Sequence, residues 1–201
     1  GTQLDGFAHQ TVGDSLYNGF KLDEISSRNG FTKLGIEHVG ALITRAVLID
    51  VAGLKQVETL PDTYEITPQD LAQALARQQV SVNPGDAILI HTGWGRHWGK
   101  DNARYSKSCP GIGVAAAQWL ARKDPMLVGA DNFSVEVSPN PDPLVSLPVH
   151  QIMLVVNGIH LLENLRLDEL AARRAYEVAF FLQPLKIQGG SGSTVAPIAI
   201  Q

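Results

Sequence analysis

Residues 42–51, LITRAVLIDV, form an apolar, β-branched run almost free of polar alternation, and such a run is stable only as a strand covered on both faces. Two shorter runs repeat the theme: AILIH at 87–91, entered through the turn NPGD, and PMLVGADN at 125–132, which ends on Asp131 and Asn132. Between them lie helical patterns. In ITPQDLAQALARQQ, Thr67 can cap, Pro68 takes the first helical position, Asp70 closes a capping box, and Leu71, Ala74 and Leu75 share a face. GVAAAQWLARK at 113–123 predicts a second helix. Buried strands alternating with helices predict an α/β fold with a mixed sheet.

The C-terminal third continues this pattern. QIMLVVNGIHLLENL is apolar with one glycine break, and His150 and Glu163 are expected on one strand region around it. RLDELAARRAYEVAFFLQPL predicts a short helix or turn and then a strand. KIQGGSGSTVAPIAI reads as a strand, a hairpin turn at GGSGS and a closing strand. No repeat, low-complexity tract or long linker divides the chain, so one domain over 1–201 is expected.

A hydrophobic content of 44% over 201 residues suffices for a full core. The net charge of −4, with scattered Lys and Arg, gives no basic face for nucleic acid and leaves small molecules as the expected partners. The apolar runs are too short to cross a bilayer and no signal-peptide pattern precedes them. Cys109 stands alone, compatible with a reducing compartment, and a cytoplasmic location is expected.

The opening GTQLDGFAHQ places Gln3, Asp5 and His9 among small and apolar neighbours. Asp5 and His9, four apart, fall on one side of either a strand or a helix, and Gln3 joins them if the segment is extended. A hydrogen-bonded pair holding a turn would use the same residues. Glu163 interrupts an apolar run, where an unpaired carboxylate would cost several kcal/mol, on the order of the penalty for an isolated buried ion, so it needs a cation. Arg166 or Arg173 at the surface could supply it; so could a metal shared with Asp5 and His150. In TGWGRHWG and the strand before it, His91, Trp94, Arg96, His97 and Trp98 could build an aromatic wall with a carboxylate clamp, or simply pack. Ser134 and Cys109 lack any marker of a nucleophile, GGSGS lacks the features of a phosphate loop, and His38 and His160 read as structural.

Together these segments resemble the cyclase family of metal-dependent hydrolases, which includes bacterial kynurenine formamidase and isatin hydrolase. GTQLDGFAH is similar to the last nine positions of the family motif H-x-G-T-H-x-D-x-P-x-H, and ADNFSVE, LPVHQIMLVVNGIHLLENL and GGSGSTVAPIAI resemble later landmarks. The resemblance implies a swivelling β/β/α domain, a homodimer or homotetramer, and an upstream segment before residue 1. It implies Asp5, His150 and Glu163 as metal ligands and His9 as the proton donor and acceptor. Gln3 stands where the motif has a histidine ligand and Phe7 where it has proline.

The expected function is metal-dependent hydrolysis of amide-type C–N bonds in a small aryl formamide, cyclic imide or lactam. Gln3, Asp5, His150 and Glu163 would hold a divalent ion, with the amide at position 3 favouring Mn over Zn. His9 would move the proton, and Trp94, Arg96 and Trp98 would bind substrate. Two alternatives stand beside it: a non-catalytic small-molecule binder on the same fold, and a metal-free hydrolase using Ser134 or Cys109.

Overall fold

A single mixed sheet runs from residue 3 to residue 200 in the computed structural model, which describes all 201 residues. Its strands are β1 (Gln3–Asp5), β2 (Leu42–Asp50), β3 (Ala87–His91), β4 (Leu127–Ala130), β5 (His160–Glu163), β6 (Glu177–Leu182), β7 (Gly192–Thr194) and β8 (Ile198–Ile200). They lie in the order β7-β1-β5-β4-β3-β2-β6-β8. The middle four are parallel to one another, and the outer strands pair antiparallel.

Strand alternation gives the sheet two apolar faces. On one, Val47, Ile49, Ile88, Ile90, Val128 and Leu161 meet helices α1 (Pro68–Gln78) and α2 (Val114–Ala121). On the other, Leu4, Leu48, Leu89 and Leu162 meet Leu165, Leu167 and Phe180, with α3 (Asp168–Arg173) packed alongside. Helix α1 starts as its sequence dictates: Thr67 Oγ1 accepts from the Asp70 amide at 3.2 Å, and the Asp70 carboxylate accepts from the Thr67 amide at 3.0 Å. No helix is long and apolar enough to cross a membrane.

Two expectations change. The first half of QIMLVVNGIHLLENL is helical: His150 closes the turn Pro148–His150, and Gln151–Asn157 continue it as a π-helix. Gly158, at φ +64°, terminates that helix before β5 begins, so His150 and Glu163 approach from different elements.

GGSGS, in turn, is not a hairpin. β7 pairs with β1 at one edge of the sheet and β8 with β6 at the other, although only residues 195–197 join them. Eight strands laid flat would separate those edges by roughly 34 Å at ~4.8 Å per strand. Four Cα steps reach about 15 Å at most. The sheet therefore curls until its two edges nearly meet.

Candidate metal centre

β1 runs antiparallel to β5 with Gln3 opposite Glu163 and Asp5 opposite Leu161. Since Leu4 and Leu162 occupy one face, Gln3, Asp5 and Glu163 must project from the other, toward the π-helix and the turn carrying His150. His150 Nε2 lies 3.4 Å from Glu163 Oε1 and 3.8 Å from Asp5 Oδ2. His9, on the turn after β1, brings Nδ1 to 3.8 Å from Asp5 Oδ1. Donor atoms of Asp5, His9 and His150 fall within 4.8 Å of one another, a set able to hold a metal ion, and Glu163 joins them through His150 and Gln3. Of the four groups, only His9 has substantial exposure, at 33% of its side chain.

Gln3 uses its nitrogen here. Nε2 donates to Glu163 Oε2 at 2.9 Å and reaches Asp5 Oδ1 at 3.4 Å, so the amide ties the two carboxylates together instead of presenting its oxygen as a ligand. Two neighbouring carboxylates offer only acceptors, which decides the orientation of the amide.

Glu136 escaped the sequence reading although it supports the cluster directly. Its carboxylate is hydrogen-bonded to His150 Nδ1 and accepts from the His150 amide at 3.2 Å, which aims Nε2 at Asp5 and Glu163. The argument applied to Glu163 would have found it, because Glu136 sits between Val135 and Val137 and all three are buried. His160 is a second brace: Nδ1 bonds to the Asp5 carbonyl at 2.9 Å, and its ring stacks on Phe7 at 4.2 Å and 12°. Phe7, the departure from motif proline, is thereby clamped.

Asp5, Glu136 and Glu163 thus surround one strongly basic imidazole. Burial and the Glu163 charge push Asp5 up to about 7 against the opposing pull of His150 and Gln3. Burial lowers His150, but its hydrogen bond to Glu136 and the charges of Glu136 and Glu163 outweigh it and hold the ring at about 9. His9 is lowered by burial and then by His150. Asp5 Oδ2 is buried with no hydrogen-bond partner. An orphaned carboxylate oxygen among oxygen and imidazole donors, in an acid-rich pocket, fits a divalent cation.

The remaining candidates separate. Arg96 and Trp98 line a cavity of about 270 Å³ that includes none of the four cluster residues. Trp94 does not join them: it is fully buried, its indole donating to the Tyr105 carbonyl at 3.2 Å, so it packs beneath the loop out of reach of any ligand. Cys109 and Ser134 touch at 3.2 Å, but burial pushes the thiol up to about 12 and Ser134 donates to the Glu136 carbonyl at 2.7 Å, with no base in contact. Arg173 is occupied by Glu169, and neither it nor Arg166 pairs with Glu163.

The family model described as "Putative cyclase" matches residues 1–137. The chain belongs to the cyclase family. A crystal structure described as a novel cyclase superposes with a TM-score of 0.90 at 37% identity, over all of this chain and 68% of that one. Isatin hydrolase A from Ralstonia solanacearum gives a TM-score of 0.71 at 25% identity, over 100% of this chain and 72% of that one. A predicted metal-dependent hydrolase from Bacillus stearothermophilus shares the fold, with a TM-score of 0.63 at 19% identity over 99% and 75% of the two chains. No curated protein sequence matches the chain. These cyclase-family relatives support a hydrolase-type enzyme, and the mixed α/β architecture matches theirs.

Proposed function

We propose that this cyclase-family chain is a metal-dependent hydrolase of amide-type C–N bonds in a small aryl formamide, cyclic imide or lactam. The observation that carries the reading is the buried Asp5 Oδ2, left without a partner in a cluster holding three carboxylates. Asp5, His150 and Glu163 are the residues that would hold a divalent ion, Mn or Zn, which when bound acidifies water and polarises a carbonyl. Glu136 and Gln3 hold those ligands in place, Glu136 through His150 Nδ1 and Gln3 through both carboxylates. His9, the most accessible member, takes the proton from the attacking water and returns it to the departing nitrogen. Burial of Asp5, His150 and Glu163 strengthens each electrostatic contact within the cluster. The working unit we infer is one domain over 1–201 in a cytoplasmic homodimer or homotetramer, acting on a small molecule without nucleic acid or membrane.

A second reading of His9 follows from its donor atom lying within the same 4.8 Å set as Asp5 and His150. Metal analysis of two variants separates the roles. His9→Ala should keep the metal and lower turnover by roughly 10²–10⁴, while Asp5→Ala loses both. Equal loss of metal would make His9 a ligand. Full activity after exhaustive chelation would remove the metal chemistry, and absence of turnover in metal-replete protein would favour the non-catalytic binder.

A further inference from the structure

The short helical turn Trp94–His97 lies over the carboxyl ends of β4 and β5, where a Cβ on Gly95 would come within 3.1 Å of the Asp131 carbonyl and 3.4 Å of the Leu165 carbonyl. Beside it opens the cavity of about 270 Å³, lined among others by Arg96, Trp98, Lys100, Tyr105, Asn164 and Arg166. Asp5, His9, His150 and Glu163 take no part in it.

Its polar groups are unbalanced. Asp131 is already engaged: Oδ1 takes the Thr92 amide and hydroxyl at 2.9 and 2.6 Å, and Oδ2 takes the Gly93 amide at 2.8 Å. Asp168 faces His91 Nε2 at 3.7 Å and Arg96 Nη2 at 4.0 Å. The donors are in surplus. Lys100 and Arg166 make no ion pair, and the Asn164 amide accepts from Tyr105 through its oxygen, leaving the NH₂ free. Arg96 Nε is buried with no acceptor, although Nη1 binds Glu58 at 2.6 Å.

Lys100 and Arg166 are exposed and Asn164 is half-buried, so Arg96 Nε is the one donor withdrawn from water without an acceptor, at a cost of about 1–3 kcal/mol, and with the cationic and amide groups gathered around it the cavity favours an oxyanion. The wall supplies the rest of the ligand's shape. Trp98 is 53% exposed and meets Tyr105 edge-on at 5.2 Å and 70°, which leaves indole surface available for a flat ring. The volume is on the scale of a one-ring ligand, just below the ~300–1,000 Å³ of drug-sized pockets.

We propose that this cavity binds a small aromatic carboxylate, its carboxylate held by Arg96, Lys100, Arg166 and the Asn164 amide and its ring against Trp98. The site stands independently of the metal chemistry, because none of the cluster residues line it.

Benzoate is the probe, titrated into the purified full chain by calorimetry and followed through the indole ¹H–¹⁵N signals. Benzoate should shift the Trp98 signal and leave those of Trp94 and Trp119 in place. Benzamide, which lacks the charge, should bind at least about tenfold more weakly, as should benzoate to the Lys100→Gln/Arg166→Gln double variant, the size of one lost charge-assisted hydrogen bond. Asp5→Asn should bind benzoate as the unaltered protein does. An unmoved Trp98 signal, equal affinity for benzamide, undiminished binding by the double variant, or loss of binding in Asp5→Asn would each overturn the assignment, the last by moving the site to the metal cluster.

Discussion

His91→Gln should remove a large part of the alkaline dependence of this protein's stability, His150 at about 9 supplying another part. The ring ends β3, with Nδ1 at 2.7 Å from Asp50 Oδ1 at the end of β2, and Nε2 at 3.9 Å from Asp131 after β4 and 3.7 Å from Asp168 at the start of α3. Arg96 and Arg166 face Asp168 as further cations, and Arg77 faces Asp50. Burial alone would lower the ring, but the close Asp168 carboxylate, the hydrogen bond to Asp50 and the charge of Asp131 outweigh it and hold His91 at about 10, against an ordinary 6.5. Asp168, with the His91 ring 3.7 Å away, stays below the usual carboxylate range, and Asp50 does so despite its burial.

A folded-state value raised above the unfolded one means the stabilisation is complete below about pH 6.5 and is lost as pH rises through about 10. At about 1.36 kcal/mol per unit, the full effect is on the order of 4–5 kcal/mol, of which about 3 disappears between pH 6.5 and pH 9. Urea unfolding of both proteins at those two pH values measures it. The gap between the unaltered protein and His91→Gln should shrink by roughly 3 kcal/mol toward alkaline pH. A gap that stays constant within about 0.5 kcal/mol would show that His91 is neutral in the folded state and refute the charge reading.

Two further outcomes follow from local geometry. Thr67→Ala removes the side-chain acceptor at the start of α1 and should cost about 1 kcal/mol in the same unfolding assay, with no effect on metal content. Gln3→His removes the amide that bridges Asp5 and Glu163 and adds an imidazole donor, so apo-protein should gain affinity for Zn relative to Mn in parallel titrations at fixed pH; unchanged selectivity would mean that position 3 does not reach the metal.

What could be read from the sequence was what local chemistry decides. The cap of α1 needs only Thr67, Pro68 and Asp70, and the buried strands need only their apolar runs. Glu163 revealed itself as a carboxylate inside such a run. Long-range facts left weaker traces. GGSGS has hairpin composition, yet closure of the curled sheet sends β7 and β8 to opposite edges. Gln3 is visible as a replacement for histidine, but that its nitrogen faces inward depends on Glu163, a residue 160 positions away.

The separation of two polar centres within one sheet was hidden for the same reason. Asp50 and His91 finish their strands in register, and Asp131 follows Ala130, which is itself level with Ile90, so the three form one row on the face shared with Leu48 and Leu89. β5 pairs Leu162 with Gly129, which sets Glu163 level with Ala130 and one residue short of that row. Because successive side chains alternate faces, a single residue of register sends Glu163 to the opposite side, toward Asp5 and His150. Each parallel strand carries an ionisable or polar group at its carboxyl end, visible in the sequence as LID, LIH, GAD and LLEN. Which of them form an ion cluster around His91 and which form a candidate metal centre is decided by strand pairing alone, and pairing is the part of this fold that no local stretch of sequence encodes.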